Sequence, residues 1–120
     1  MENVVVVGAS TNEERYSNKA MKMLAEYGHN PIPVAPKEET ILGRKVFSTI
    51  SDVTDKVDTV TLYVGPQRQV GLFEQIIALA PHRVIFNPGT ENPGEYEQLR
   101  AAGIEPIEAC TLVMLRTNQF

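Results

Sequence analysis

Residues Val4 to Val7 are four consecutive valines, and Gly8, Ala9 and Ser10 follow at once. Four β-branched residues in a row favour extended backbone and leave no polar face, so the segment reads as a strand covered on both sides, like a central strand of a parallel sheet. Parallel neighbours need crossover connections, usually helices. One short run therefore directs the chain toward an α/β architecture with helices on both faces of the sheet.

The rest of the sequence keeps that rhythm. Ala20, Met21, Leu24 and Ala25 share one helical face, with Ser17 or Asn18 expected as the cap and Gly28 at the stop. Pro31 to Val34 reads as a second strand ending at Ala35-Pro36-Lys37, and Glu38 to Lys45 as a polar, turn-like, mobile stretch. Val57 to Val64 is the third strand, closed by Gly65 and Pro66. Gln67 to Ala80 reads as a helix with Val70, Phe73, Ile76, Ile77 and Ala80 inward. Arg83 to Phe86 is the fourth strand, a helix is expected from about Gly94 to Ala102, and Ile104 to Ile107 is the fifth strand. The expectation is one domain, residues 1–120, with a doubly wound, mainly parallel five-stranded sheet, Rossmann-like, binding its ligand at the carboxyl ends of the strands.

Composition narrows the ligand. A net charge of -4 argues against a nucleic-acid surface, and no apolar run approaches the roughly 20 residues of a spanning helix. The N-terminus shows no charged-then-apolar leader pattern, so a cytoplasmic location is expected. A single cysteine excludes an internal disulfide framework and an all-cysteine metal site, and no metal-ligand spacing appears.

The carboxyl ends of the strands then carry the chemistry. Gly8-Ala9-Ser10 is half of a phosphate-binding loop: a full G-x-G-x-x-G would need glycines at Ser10 and Glu13. Its backbone N–H groups are expected to point toward the following helix start, whose dipole suits an anion. Arg15 and Lys19 stand near the same helix start and could clasp a pyrophosphate, with Ser17 donating a hydroxyl bond; each also reads as ordinary solvated surface. At the end of the second strand an NAD-binding chain usually carries an Asp or Glu for the ribose hydroxyls. Here Pro36-Lys37 takes that place, and a lysine suits a phosphorylated ribose, which both NADP and coenzyme A possess.

The series GAS, then Asn12 to Ser17, then Pro33-Val34-Ala35-Pro36-Lys37, then Ile41 to Asp52 resembles the CoA-binding protein family, small stand-alone relatives of the CoA-binding domain in the succinyl-CoA synthetase alpha subunit. The resemblance covers the first half of the chain in motif order and spacing. It implies a Rossmann-like domain with Gly8, Ala9 and Ser10 around the pyrophosphate of coenzyme A, Arg15 and Ser17 beside it, and Pro36 and Lys37 near the ribose 3′-phosphate and adenine. Val64, Gly65 and Pro66 match the position flanking the adenosine. The second half departs from the commoner pattern: Tyr63-Val64-Gly65-Pro66 stands where many members have Asp-x-Phe-Arg, and Glu108-Ala109-Cys110 where they have Asp-Arg-Cys. The cation after the third strand is displaced to Arg68 or absent.

Asn87 and Thr90 follow the fourth strand and are either turn residues or contacts for the pantetheine arm. Cys110 is either a small buried hydrophobe or a thiol near the end of a bound CoA. His29 and His82 lie at the amino ends of strands, and no Ser-His-Asp or Cys-His pairing emerges. The expected function is binding of coenzyme A or an acyl-CoA as a carrier, sensor or regulatory module, with no catalytic residue assigned and no nucleic-acid or membrane partner. Two alternatives stay open: an NADP-binding protein or subunit of an oxidoreductase, and an interaction module with a vestigial groove. A homodimer is compatible with so small a sheet.

Overall fold

The computed structural model describes all 120 residues. Five parallel strands, β1 (Asn3–Val7), β2 (Asn30–Val34), β5 (Thr59–Leu62), β6 (Arg83–Phe86) and β7 (Glu105–Glu108), form one sheet in the order β2-β1-β5-β6-β7. The chain runs from β1 outward to β2, then returns past β1 to β5, so the order reverses between β1 and β5. The crevice where ligands bind in such sheets opens at that reversal.

Helix α1 (Tyr16–Glu26) packs with α4 (Thr111–Arg116) on one face, and α2 (Leu72–Leu79) and α3 (Tyr96–Ala101) lie on the other. The valine run shows why. Val5 and Val7 belong to the core beneath α2 and α3 with Phe73, Ile76 and Leu99, while Val4 and Val6 belong to the core beneath α1 and α4 with Met21, Leu24 and Leu115. Alternate residues of one strand face opposite sides, so an all-apolar strand is what two helical layers require.

The sheet edges are guarded differently. Pro31 and Pro33 sit in β2, at the sheet edge where missing N–H donors are tolerated, and Phe47 runs alongside through Phe47 N–H to Pro33 O and Ala35 N–H to Phe47 O, both 3.0 Å. At the other edge β7 carries Glu105, Pro106 and Glu108, which discourage strand addition.

Four expectations change in detail. The stretch expected to be mobile is a hairpin of β3 (Thr40–Ile41) and β4 (Arg44–Lys45), turned at Leu42 and Gly43 with positive φ and anchored by the buried Ile41. Val70, expected inward, is 88% exposed. The helical count fails because a 3-10 turn (Pro66–Arg68) and Gly71, at φ +78°, break the register before α2 begins. Neither Ser17 nor Asn18 caps α1: Arg15 holds that position without a side-chain bond, and both polar residues are buried within the first turn. Finally, α4 follows β7 without having been expected.

Candidate functional site

A cleft of about 630 Å³ opens at the carboxyl ends of β1, β2 and β5. It gathers Gly8, Ala9, Ser10, Arg15, Pro36, Lys37 and Val64 from the sequence-predicted set, with Arg68 from the following 3-10 turn. A second chamber of about 240 Å³ shares Gly8, Arg15 and Tyr63 with it and continues to Ser17, Pro88 and Thr90. Sequence reasoning missed Ser48, Thr49 and Ile50, which the segment after the hairpin brings to the cleft wall; the signal was their place within the Ile41 to Asp52 stretch of the family resemblance.

Gly8 sets the depth of the cleft. Its φ is +86°, and a Cβ there would lie 2.8 Å from Val64 Cγ1 and 3.2 Å from the Tyr63 carbonyl carbon and oxygen. No larger residue fits between β1 and the chain leaving β5 without displacing one of them. The loop beyond is braced by its own polar groups: Ser10 Oγ accepts from Asn12 N–H at 3.0 Å, Asn12 Oδ1 from Glu14 N–H at 2.9 Å, and Asn18 Nδ2 donates to Ser10 O at 2.9 Å.

Two of the loop's three N–H groups depart from the expected direction. Gly8 N–H and Ala9 N–H both donate to Val34 O, at 3.0 and 3.3 Å, tying the loop to β2. In the first turn of α1, Asn18 and Lys19 N–H bond Arg15 O, leaving those of Tyr16 and Ser17 without an intrahelical acceptor, and Arg15 lines the cleft at this helix start. Arg15, Lys37 and Arg68 make no ion pair, the ion pairs of the chain being Lys22–Glu13, His82–Asp58 and Arg83–Glu2. Lys19 leans over the Tyr16 ring, its Nζ 5.5 Å from the centroid, and lines neither chamber.

Three other predicted residues stand elsewhere. Gly65 lines neither chamber, and Pro66 lines a separate polar groove with Gln69 and Asn92. Asn87 is 3% exposed and its amide is committed inside the protein: Nδ2 donates to Thr61 Oγ1 at 2.6 Å and Leu62 O at 2.9 Å, and Oδ1 accepts from Thr111 N–H at 2.9 Å. It ties β6 to β5 and to the start of α4, and it does not line the cleft. Thr90 does reach the second chamber, with its hydroxyl donated to Asn87 O at 2.8 Å.

Three buried polar atoms have no partner: Ser17 Oγ, Asn18 Oδ1 and Tyr63 OH. Burial pushes the Tyr63 pKa up to about 12; the neighbouring Thr111 and Thr61 hydroxyls pull it down, yet neither meets hydrogen-bond geometry with it. Tyr63 therefore stays a neutral donor through the physiological range. Cys110, half-buried, precedes α4 and lines neither chamber, while Glu108 turns away to accept from Tyr96 OH at 2.7 Å.

Comparison with known proteins gives the family and the fold. The family model described as a CoA binding domain matches residues 2–116. A crystal structure of a protein described as uncharacterized superposes with a TM-score of 0.94 at 43% identity, covering 100% of this chain and 98% of that one. A hypothetical protein from Pyrococcus horikoshii OT3 gives a TM-score of 0.84 at 34% identity over 94% of this chain and 81% of that one. An ADP-forming acetate–CoA ligase of Methanocaldococcus jannaschii is 31% identical over 62 residues, which are 52% of this chain and 9% of the ligase.

Proposed function

The chain belongs to the CoA-binding domain family, and from that membership we propose that it binds coenzyme A, free or acylated, across the carboxyl ends of its strands as a carrier, sensor or regulatory module. The observation that carries this reading is the convergence of three unpaired cations, Arg15, Lys37 and Arg68, on one cleft. Coenzyme A carries a pyrophosphate and a ribose 3′-phosphate at one end, so a ligand of this kind matches separated cations better than a neutral metabolite does. The unpaired first-turn N–H groups of α1 fit the anions.

In this reading Lys37, with Pro36, meets the 3′-phosphoadenosine end, and Val64, Ser48 and Thr49 wall it. Arg15, Ser10 and the first turn of α1 hold the pyrophosphate, with Ala9 and Gly8 forming the floor. Arg68 supplies the cation after β5 that the sequence left displaced or absent. Coenzyme A, when bound, presents a thiol that carries acyl groups as thioesters. The chain's own residues bind and orient it: cations, hydroxyls, apolar groups and the carboxylate of Glu38 line the cleft, and no hydroxyl there is hydrogen-bonded to that carboxylate.

Calorimetric titration of the wild type and Lys37→Ala with CoA and dephospho-CoA tests the placement. Loss of a charge-assisted contact, about 1.5–3 kcal/mol, should weaken CoA roughly 10- to 150-fold and leave dephospho-CoA nearly unchanged. Equal losses for the two ligands remove Lys37 from the 3′-phosphate.

A further inference from the structure

We propose that Glu38 selects the base of the ligand, its carboxylate accepting a hydrogen bond from the exocyclic amino group of adenine. The inference rests on the CoA reading above and names the residue that recognises the nucleotide's base.

The observation is a negative charge in a cleft otherwise suited to anions. Among the residues lining it, Arg15, Lys37 and Arg68 are cations and Glu38 is the one carboxylate. Glu38 joins none of the chain's ion pairs, although Lys37 precedes it in sequence. Other polar groups on that wall are committed within the protein: the Ser48 and Thr49 hydroxyls both donate to Asp52 Oδ2 at 3.2 Å, and Gln75 Oε1 accepts from Ser51 N–H and Oγ at 3.2 Å. The carboxylate is thus a free acceptor at the cleft. It repels any phosphate nearby, so its partner in the ligand is a hydrogen-bond donor.

Chemistry then identifies the donor. The Cα atoms of Lys37 and Glu38 are ~3.8 Å apart across a trans peptide bond, so the carboxylate works at the 3′-phosphoadenosine end. That end of the ligand offers two donors, the adenine amino group and the ribose 2′-hydroxyl. The hydroxyl stands on the carbon next to the 3′-phosphate, where a carboxylate would face the phosphate's charge as well. The amino group lies across the base from the ribose, where the carboxylate meets a donor and no phosphate. A base with a carbonyl at that position, such as hypoxanthine, would set two acceptors against each other.

Wild type, Glu38→Ala and Glu38→Gln are titrated calorimetrically with CoA, its hypoxanthine analogue and 2′-deoxy-CoA. Removing a negative charge from the cleft changes the affinity for all three, so the readout is the ratio of affinities within each protein. The wild type should prefer CoA to the hypoxanthine analogue about three- to thirtyfold, the worth of an exposed charge-assisted hydrogen bond replaced by a clash of acceptors. Glu38→Ala should bring that ratio near one. Glu38→Gln should do the same, because its amide accepts from the amino group or donates to the carbonyl. Without ligand, both variants should melt at the wild-type midpoint, since Glu38 has no partner to lose. A wild-type ratio of one, or the same ratio in wild type and Glu38→Ala, overturns the inference and leaves the CoA reading standing. A preference for CoA over 2′-deoxy-CoA that Glu38→Ala abolishes, without discrimination of the base, overturns it in favour of the ribose hydroxyl. Absence of binding by all three ligands overturns both the inference and the reading beneath it.

Discussion

Replacing Gly8 by alanine tests the geometry on which the cleft depends. Two costs are separable. The first is conformational: alanine at φ +86° costs about 1–2 kcal/mol. The second is steric, because the new Cβ would stand 2.8 Å from Val64 Cγ1 and 3.2 Å from the Tyr63 carbonyl, and overpacking of this kind costs about 1–3 kcal/mol. Reduced freedom of the unfolded chain returns about 0.4–1 kcal/mol, leaving a net loss of about 1–5 kcal/mol. At about 4 °C per kcal/mol for a chain of this length, the melting midpoint should fall by roughly 4–18 °C. Gly28 supplies the control: its φ is also +86°, but nothing lies within 4 Å of its added Cβ. Gly28→Ala should therefore cost only the conformational part, about 1 kcal/mol net. Urea unfolding of both variants measures the difference directly. Adding Val64→Ala to Gly8→Ala should recover less than the whole steric cost, because the Tyr63 carbonyl remains. Equal losses at Gly8 and Gly28 would refute the claim that close approach of β1 to the chain leaving β5 makes glycine necessary.

Other outcomes follow from the same structure. Asn87→Ala strips the partners from Thr111 N–H and Leu62 O in the interior, and should cost about 2–5 kcal/mol in urea unfolding; a loss below about 1 kcal/mol would mean that its bonds do not hold β6 to β5 and α4. Tyr63 has a folded pKa raised from 10.0 to about 12, so the native state holds its proton more tightly than the unfolded chain does. Its contribution is whole below pH 10 and is lost as pH rises toward 12, at up to about 1.4 kcal/mol per pH unit. Tyr96, also raised to about 12, acts in the same direction, so the measurement is the difference in unfolding midpoint between wild type and Tyr63→Phe across that range. A parallel decline in both proteins would remove Tyr63 as its source.

Much of this architecture is legible in the sequence because it follows from local pattern. Val4 to Val7 need cover on both faces, and the structure supplies one helical layer for each alternate pair. Lys37 reads correctly as a cleft residue because its position at the end of β2 follows from topology alone. What failed depends on neighbours distant in sequence. Gly8 and Ala9 offer N–H groups that any phosphate loop could use, but Val34 O lies within reach once β2 is paired to β1. Asn87 looks like a ligand contact because it is polar and ends a strand; the hydroxyl and carbonyl that absorb its amide nitrogen come from β5 and the N–H that absorbs its oxygen from α4. The six residues of α4 are too few to show a helical period, and no side chain caps its start. Val70 was misplaced by one uninterrupted count across a glycine with positive φ, which rotates everything before α2 out of register. Ser17 was expected at the ligand for its hydroxyl; its burial within the first turn emerges only when α1 is laid on the sheet.

The central claim is that this cleft takes coenzyme A, and the most direct test is a thermal melt of the wild type with saturating CoA, dephospho-CoA, NADPH and NADH in parallel. A ligand at about 100 times its Kd adds roughly 2.7 kcal/mol, which should raise the midpoint by about 10 °C in a domain of this size. The account predicts that CoA gives the largest rise, dephospho-CoA a smaller one and NADH none. A rise with NADPH alone would contradict it in favour of an oxidoreductase-type cofactor, and no rise with any nucleotide would contradict it in favour of an interaction module whose groove no longer binds.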